Sequence, residues 1–96
     1  MNTLRIIEMI KAEKPYLKEK FGVEEIALFG SYARGDEQPD SDLDIMVKLN
    51  NRSLTSYFGL LDFLELKLNK KIDLITKHKN LSERFLFFTN KDILYV

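Results

Sequence analysis

The 96-residue chain contains no cysteine, no tryptophan and a single histidine, His78. Without cysteine it can form neither disulfides nor zinc–thiolate sites, and thiolate nucleophiles are excluded with them. One histidine cannot build a histidine metal centre, and His78, between Lys77 and Lys79, reads as an exposed loop residue. No charge of one sign dominates, because fifteen basic residues balance fifteen acidic ones. There is therefore no global field to gather nucleic acid or an anionic membrane, and direct nucleic-acid binding is not expected. Apolar runs last only a few residues, too short to span a bilayer, and Met1-Asn2-Thr3-Leu4-Arg5 lacks a basic-then-apolar leader. The expectation is a cytoplasmic protein of one domain, residues 1–96, with 45% hydrophobic residues to form its core.

Prolines and glycines are few, two and four, so each punctuates the chain. Thr3 is the expected cap of a first helix, with Leu4, Ile7, Ile10, Leu17 and Phe21 at helical spacing. Pro15 predicts a kink or a break near Lys14, and Gly22 a stop. Glu25–Phe29 reads as a strand ending at Gly30, followed by a helical turn from about Ser31. The stretch from Asp36 to Asp40, with Pro39, reads as loop. Leu43–Val47 is a second strand. After a turn at Asn50-Asn51, Ser53 or Thr55 caps a helix whose stripe is Tyr57, Leu60, Leu61, Leu64 and Leu68. Lys71–Ile75 is a third strand, Leu81–Phe88 a final helix, and Ile93–Val96 an extended tail. The order predicts an α/β (α+β) sandwich, a small mixed β-sheet covered by helices.

Chemistry concentrates between Gly30 and Asp44. In a strand, residues i and i+2 share a face. Asp42 and Asp44 therefore project together, while Leu43 and Ile45 turn to the core. Asp73 is a charge inside an apolar strand and joins the same face if that strand lies beside the second. At about 4 Å, two such carboxylates repel by roughly 4 kcal/mol at an effective dielectric near 20. A divalent cation removes that repulsion, and oxygen-only ligands select magnesium or manganese over zinc. Read separately, Asp42 caps a turn and Asp73 sits on an exposed strand edge; read as a set they form a metal site. The turn before them suits an anion, since glycine lets the backbone approach phosphate and successive N–H groups form a nest.

Gly30-Ser31, then Ala33, Arg34, Gly35 and Ser41, then Asp42-Leu43-Asp44, resembles the signature of the DNA polymerase β-type nucleotidyltransferase superfamily, with Asp73 in the place of its third carboxylate. With no acceptor-holding second domain in the chain, the resemblance is to the minimal nucleotidyltransferases (MNT), many of them antitoxins beside a HEPN-domain RNase toxin. The resemblance implies a polymerase β-like fold and Mg²⁺-dependent transfer of AMP from ATP to a toxin tyrosine, with release of pyrophosphate. It implies catalysis by Asp42, Asp44 and Asp73, which would also hold two magnesium ions, and nucleotide binding by Gly30, Ser31, Arg34 and Ser41. Arg34 has a second reading as a helix-surface ion pair. The implied partner is the cognate HEPN toxin, in a hetero-oligomer. Two other functions stay open: a silent antitoxin acting by binding alone, and a transferase for a small hydroxylated molecule such as an antibiotic. Phe85-Leu86-Phe87-Phe88 is either core or interface.

Overall fold

The computed structural model describes residues 2–50, 53–77 and 92–96. The expected final helix Leu81–Phe88, the Phe85–Phe88 cluster and His78 lie outside these residues. Helix α1 spans Thr3–Phe21, strand β1 Val23–Phe29, the short helix α2 Gly30–Arg34 and strand β2 Leu43–Leu49. Helix α3 follows over Leu54–Leu68, then strands β3, Ile72–Thr76, and β4, Leu94–Tyr95. The sheet runs β3-β2-β1-β4, with β1 antiparallel to both β2 and β4, and β2 parallel to β3. It is a mixed sheet with helices, as the element order predicts.

The two sheet faces follow from strand alternation. Ile26, Leu28, Leu43, Ile45, Val47, Ile72 and Leu74 point to one side and are buried with Ile6, Ile10 and Leu17 of α1 and Leu60, Leu64 and Leu68 of α3. The other face carries Ala27, Phe29 and Met46, with Ile75 and Ile93 packed on them. Asp44 and Asp73 belong to this second face, because each alternates with core residues in its own strand.

Two expectations for α1, its cap and its apolar stripe, need correction. Its cap is Asn2, whose Oδ1 accepts from Arg5 N–H at 2.8 Å. The Thr3 hydroxyl instead donates to the Tyr32 carbonyl at 2.7 Å, twenty-nine residues on, tying the start of α1 to α2. Leu4 is exposed, and the buried stripe runs through Ile6, Ile10, Leu17 and Phe21. Pro15 does not divide the helix. It sits on the solvent side, where water can satisfy the carbonyl four residues back, while Ile10 and Leu17 anchor the turns around it. Gly22 ends the helix as expected, at φ 72°, its N–H reaching the carbonyls of Leu17 and Lys18.

At the start of α3 the Ser53 hydroxyl accepts from Ser56 N–H, and Asn69 closes the helix in the left-handed region at φ 52°. Two polar contacts then fix β3 beneath it: Tyr57 Oη donates to the Leu74 carbonyl at 2.6 Å, and Glu65 Oε2 accepts from Ile72 N–H at 3.0 Å. The long-range Thr3 contact gives a simple test of the fold. Thr3→Val keeps the side chain's shape but leaves the Tyr32 carbonyl without that donor, at a cost of about 1 kcal/mol. The variant should melt about 5 °C lower, read by circular dichroism; an unchanged midpoint would mean that the contact adds nothing to stability.

Candidate active site

Gly30 stands at the junction of β1 and α2. The chain leaves β1 in extended conformation at Phe29 and turns through Gly30 at φ 73°. A Cβ built on Gly30 would fall onto Asp44 Oδ2. Glycine is thus required twice, for the backbone angle and for the space the carboxylate occupies. The absent side chain brings the first turn of α2 against Asp44. Ser31 follows, half-buried, its carbonyl accepting from the N–H groups of Gly35 and Asp36 at 2.9 and 3.1 Å. Gly35 closes the short helix at φ 83°.

The carboxylates come from two strands. In the parallel β2–β3 ladder Asp44 is the register partner of Asp73, flanked by the core pairs Leu43–Ile72 and Ile45–Leu74. Lateral partners point the same way, so the two carboxyls lie side by side and act on one another. Asp42 sits exposed at the entrance to β2. Asp44 is consequently pushed up from 3.8 to about 6, first by burial, then by the charges of Asp73 and Asp42, with Arg34 pulling the other way. Among the described residues, no three acidic groups close around one point as a finished metal cage. The assembled part is the Asp44–Asp73 pair, with Asp42 acting on it through space. An oxygen-only set that repels itself in this way fits a hard divalent cation, which would relieve both the repulsion and the proton retained on Asp44.

The remaining predicted site residues have structural engagements. Arg34 pairs through Nε with Asp36 Oδ2 at 3.2 Å and through Nη1 with Asp92 Oδ2 at 3.8 Å, so its ion-pair reading is the one seen. It still acts electrostatically on Asp44. Ser41 closes the turn just ahead of Asp42: its hydroxyl accepts from Gln38 N–H at 2.9 Å, and its N–H donates to the Gln38 carbonyl at 3.0 Å. Sequence reasoning missed Asp92, which no motif marks, and Lys70 and Lys71. These two lysines line an open cleft of about 240 Å³ with Asp40 and Asp42. Their signal in the sequence was position alone, immediately before the strand that carries Asp73.

A family model described as nucleotidyltransferase domain matches residues 10–95. The chain belongs to that family. A relative from Thermococcus cleftensis, protein adenylyltransferase MntA, is 46% identical over 79 residues, covering 80% of each chain. Among solved structures, one described as a minimal nucleotidyltransferase superposes on this nucleotidyltransferase with a TM-score of 0.73 at 26% identity, covering 98% of this chain and 95% of the other. The MNT antitoxin in a complex with the tri-AMPylated HEPN toxin of Shewanella oneidensis gives a TM-score of 0.58 at 21% identity, covering 98% and 67%, and shares the fold. The mixed sheet is the polymerase β-like nucleotidyltransferase fold. No helix among the described residues of the nucleotidyltransferase is long and apolar enough to cross a membrane.

Proposed function

We propose that this nucleotidyltransferase moves AMP from ATP to a tyrosine hydroxyl of a cognate HEPN-domain toxin and thereby acts as its antitoxin in the cytoplasm. The observation that carries the reading is the Asp44–Asp73 pair with the Gly30 turn set against Asp44. That arrangement sets a glycine turn against one member of a carboxylate pair whose other member, Asp73, is exposed, which supports a site for a triphosphate and its acceptor. The T. cleftensis relative is named a protein adenylyltransferase, and the S. oneidensis neighbour is an antitoxin bound to an AMP-bearing toxin. Both support the choice of AMP and of a protein acceptor.

In this reading the backbone N–H groups at Gly30 and Ser31 hold the terminal phosphates. Asp42, Asp44 and Asp73 would hold magnesium, two ions by the family resemblance, which supplies charge neutralisation at the triphosphate oxygens. Asp73, exposed at the outer strand, takes the proton of the attacking hydroxyl. The tyrosine oxygen bonds to the α-phosphorus as the bond to the bridging oxygen breaks, and pyrophosphate departs toward the α2 turn. Arg34, anchored by Asp36 and Asp92, supplies positive charge at the edge of the site.

The test is co-purification with a candidate cognate HEPN toxin and incubation with ATP labelled at the α-phosphate. The expected outcome is label on a toxin tyrosine, lost on chelation of magnesium. Neutralisation of the toxin with no transferred label would replace this reading with antitoxicity by binding alone.

A further inference from the structure

Among the described residues, β3 is an edge strand, hydrogen-bonded within the sheet to β2 alone. Leu43 N–H donates to the Lys71 carbonyl at 3.0 Å, and Lys77 N–H donates to the Val47 carbonyl at 2.6 Å. The backbones of residues 71 and 77 therefore face β2, and by strand alternation those of 73 and 75 do as well. The backbone groups of Ile72 and Leu74, on either side of Asp73, point away from the ladder. An edge of this kind presents unpaired N–H and C=O groups and is held from one side only. This one also carries Asp73 abreast of Asp44, and two ionised carboxyls in register push their strands apart.

Both outward positions that flank Asp73 are engaged by α3. Glu65 Oε2 accepts from Ile72 N–H at 3.0 Å, and Tyr57 Oη donates to the Leu74 carbonyl at 2.6 Å. One contact falls immediately before the aspartate and the other immediately after it. Neither involves the Asp73 carboxyl. Both side chains are half-buried, and the helix that carries them is anchored in the core by Leu60, Leu64 and Leu68. The backbone around Asp73 is thus tied on its inner side to β2 and on its outer side to α3. Magnesium takes its oxygens at about 2.0–2.1 Å with little tolerance, so a drift of β3 far smaller than one strand spacing would carry Asp73 away from an ion shared with Asp44.

We infer that Tyr57 and Glu65 are positioning residues for Asp73, holding its carboxyl abreast of Asp44 against their mutual repulsion by fixing the backbone on both sides of it. The inference rests on the metal-dependent AMP-transfer reading. It adds two residues of α3 that touch no reacting atom and yet set how tightly the site holds its cation.

The first measurement needs no turnover. Manganese is titrated into the metal-free full chain well below its melting point, and the free ion is counted by electron paramagnetic resonance. Tyr57→Phe/Glu65→Met should bind manganese about 10-fold more weakly than the wild type, and each single variant should show part of that loss if the pair misfolds. Glu65→Gln keeps an oxygen acceptor for Ile72 N–H and should bind nearly as the wild type does, which separates the hydrogen bond from the charge. Asn2→Ala lowers stability through the cap of α1 and should leave manganese affinity unchanged. Equal affinity in wild type and double variant, or an equal loss in Asn2→Ala, overturns the inference. A loss in Glu65→Gln as large as in Glu65→Met overturns it for Glu65. The second measurement separates the two readings. With the cognate partner as acceptor, the double variant should need about 10-fold more magnesium for half-maximal transfer and keep its KM for the partner. An unchanged magnesium requirement defeats the positioning role alone; a wild type that binds no manganese or transfers no label defeats the reading beneath it.

Discussion

Asp44→Asn should lose AMP transfer by at least about 1,000-fold, close to 4 kcal/mol of transition-state stabilisation, and yet yield a more stable protein at neutral pH without magnesium. Both results have one cause. The Asp44 carboxyl sits between Asp73 and Asp42 and is partly withdrawn from water. Its folded-state value, about 6, exceeds its ordinary 3.8, so the folded protein retains a proton that the unfolded chain gives up. The group's stabilising contribution is complete below about pH 4 and disappears as pH rises through 6. After discounting for solvent screening, asparagine at this position should recover about 1 kcal/mol at pH 7. Thermal melts of the metal-free proteins check this: the wild type should soften between pH 4 and 6, and the variant should lack that component. Magnesium should raise the midpoint of the wild type above pH 6 and leave the variant nearly unchanged. Transfer within tenfold of wild type would remove Asp44 from the reaction centre.

Gly30→Ala should destabilise the protein by about 2 kcal/mol and lower its melting point by about 10 °C. Roughly half of this is the backbone penalty of a side chain at φ 73°. The rest is displacement of the Asp44 carboxylate from the place the new Cβ would take. The two parts can be separated. In an Asp44→Ala background the carboxylate is gone and only a 3.3 Å contact with the residue 44 Cβ remains, so Gly30→Ala should cost only about 1 kcal/mol there. Equal penalties in the two backgrounds would mean that Gly30 serves the turn and not the carboxylate. Transfer by Gly30→Ala should fall even at temperatures where it is fully folded, because Asp44 has moved.

Much of this site could be read from local pattern. The alternation of Leu43 and Ile45 with Asp42 and Asp44 requires only the strand repeat, and the buried and polar faces of β2 follow it. An aspartate among Ile72, Leu74 and Ile75 was conspicuous for the same reason. Gly22 and Ser53 are caps whose partners lie within a few residues, and both act as expected. What local pattern could not carry was contact across the chain. Thr3 looks like a cap until Tyr32, far away in sequence, takes its hydroxyl. The Arg34–Asp92 ion pair is of the same kind, since Asp92 comes beside Arg34 only on the way into β4. The pairing of β4 with β1 is equally invisible, since two residues, Leu94 and Tyr95, carry no periodicity. The side-by-side placement of Asp44 and Asp73 depended on which strands became neighbours, and that was decided by the core beneath them.

The β2–β3 register therefore has a second meaning. Sliding β3 by one residue would rotate Asp73 into the interior and turn Ile72 and Leu74 out to water, forfeiting roughly 1.5–3 kcal/mol for each apolar side chain. No misaligned molecule can keep its core, so misaligned sites are discarded at the folding step. The carboxylates, which repel one another and would separate if free, are held abreast by leucine and isoleucine on the far side of the sheet. Substitutions among those hydrophobes that loosen register should therefore be felt in the chemistry and in the melting point together.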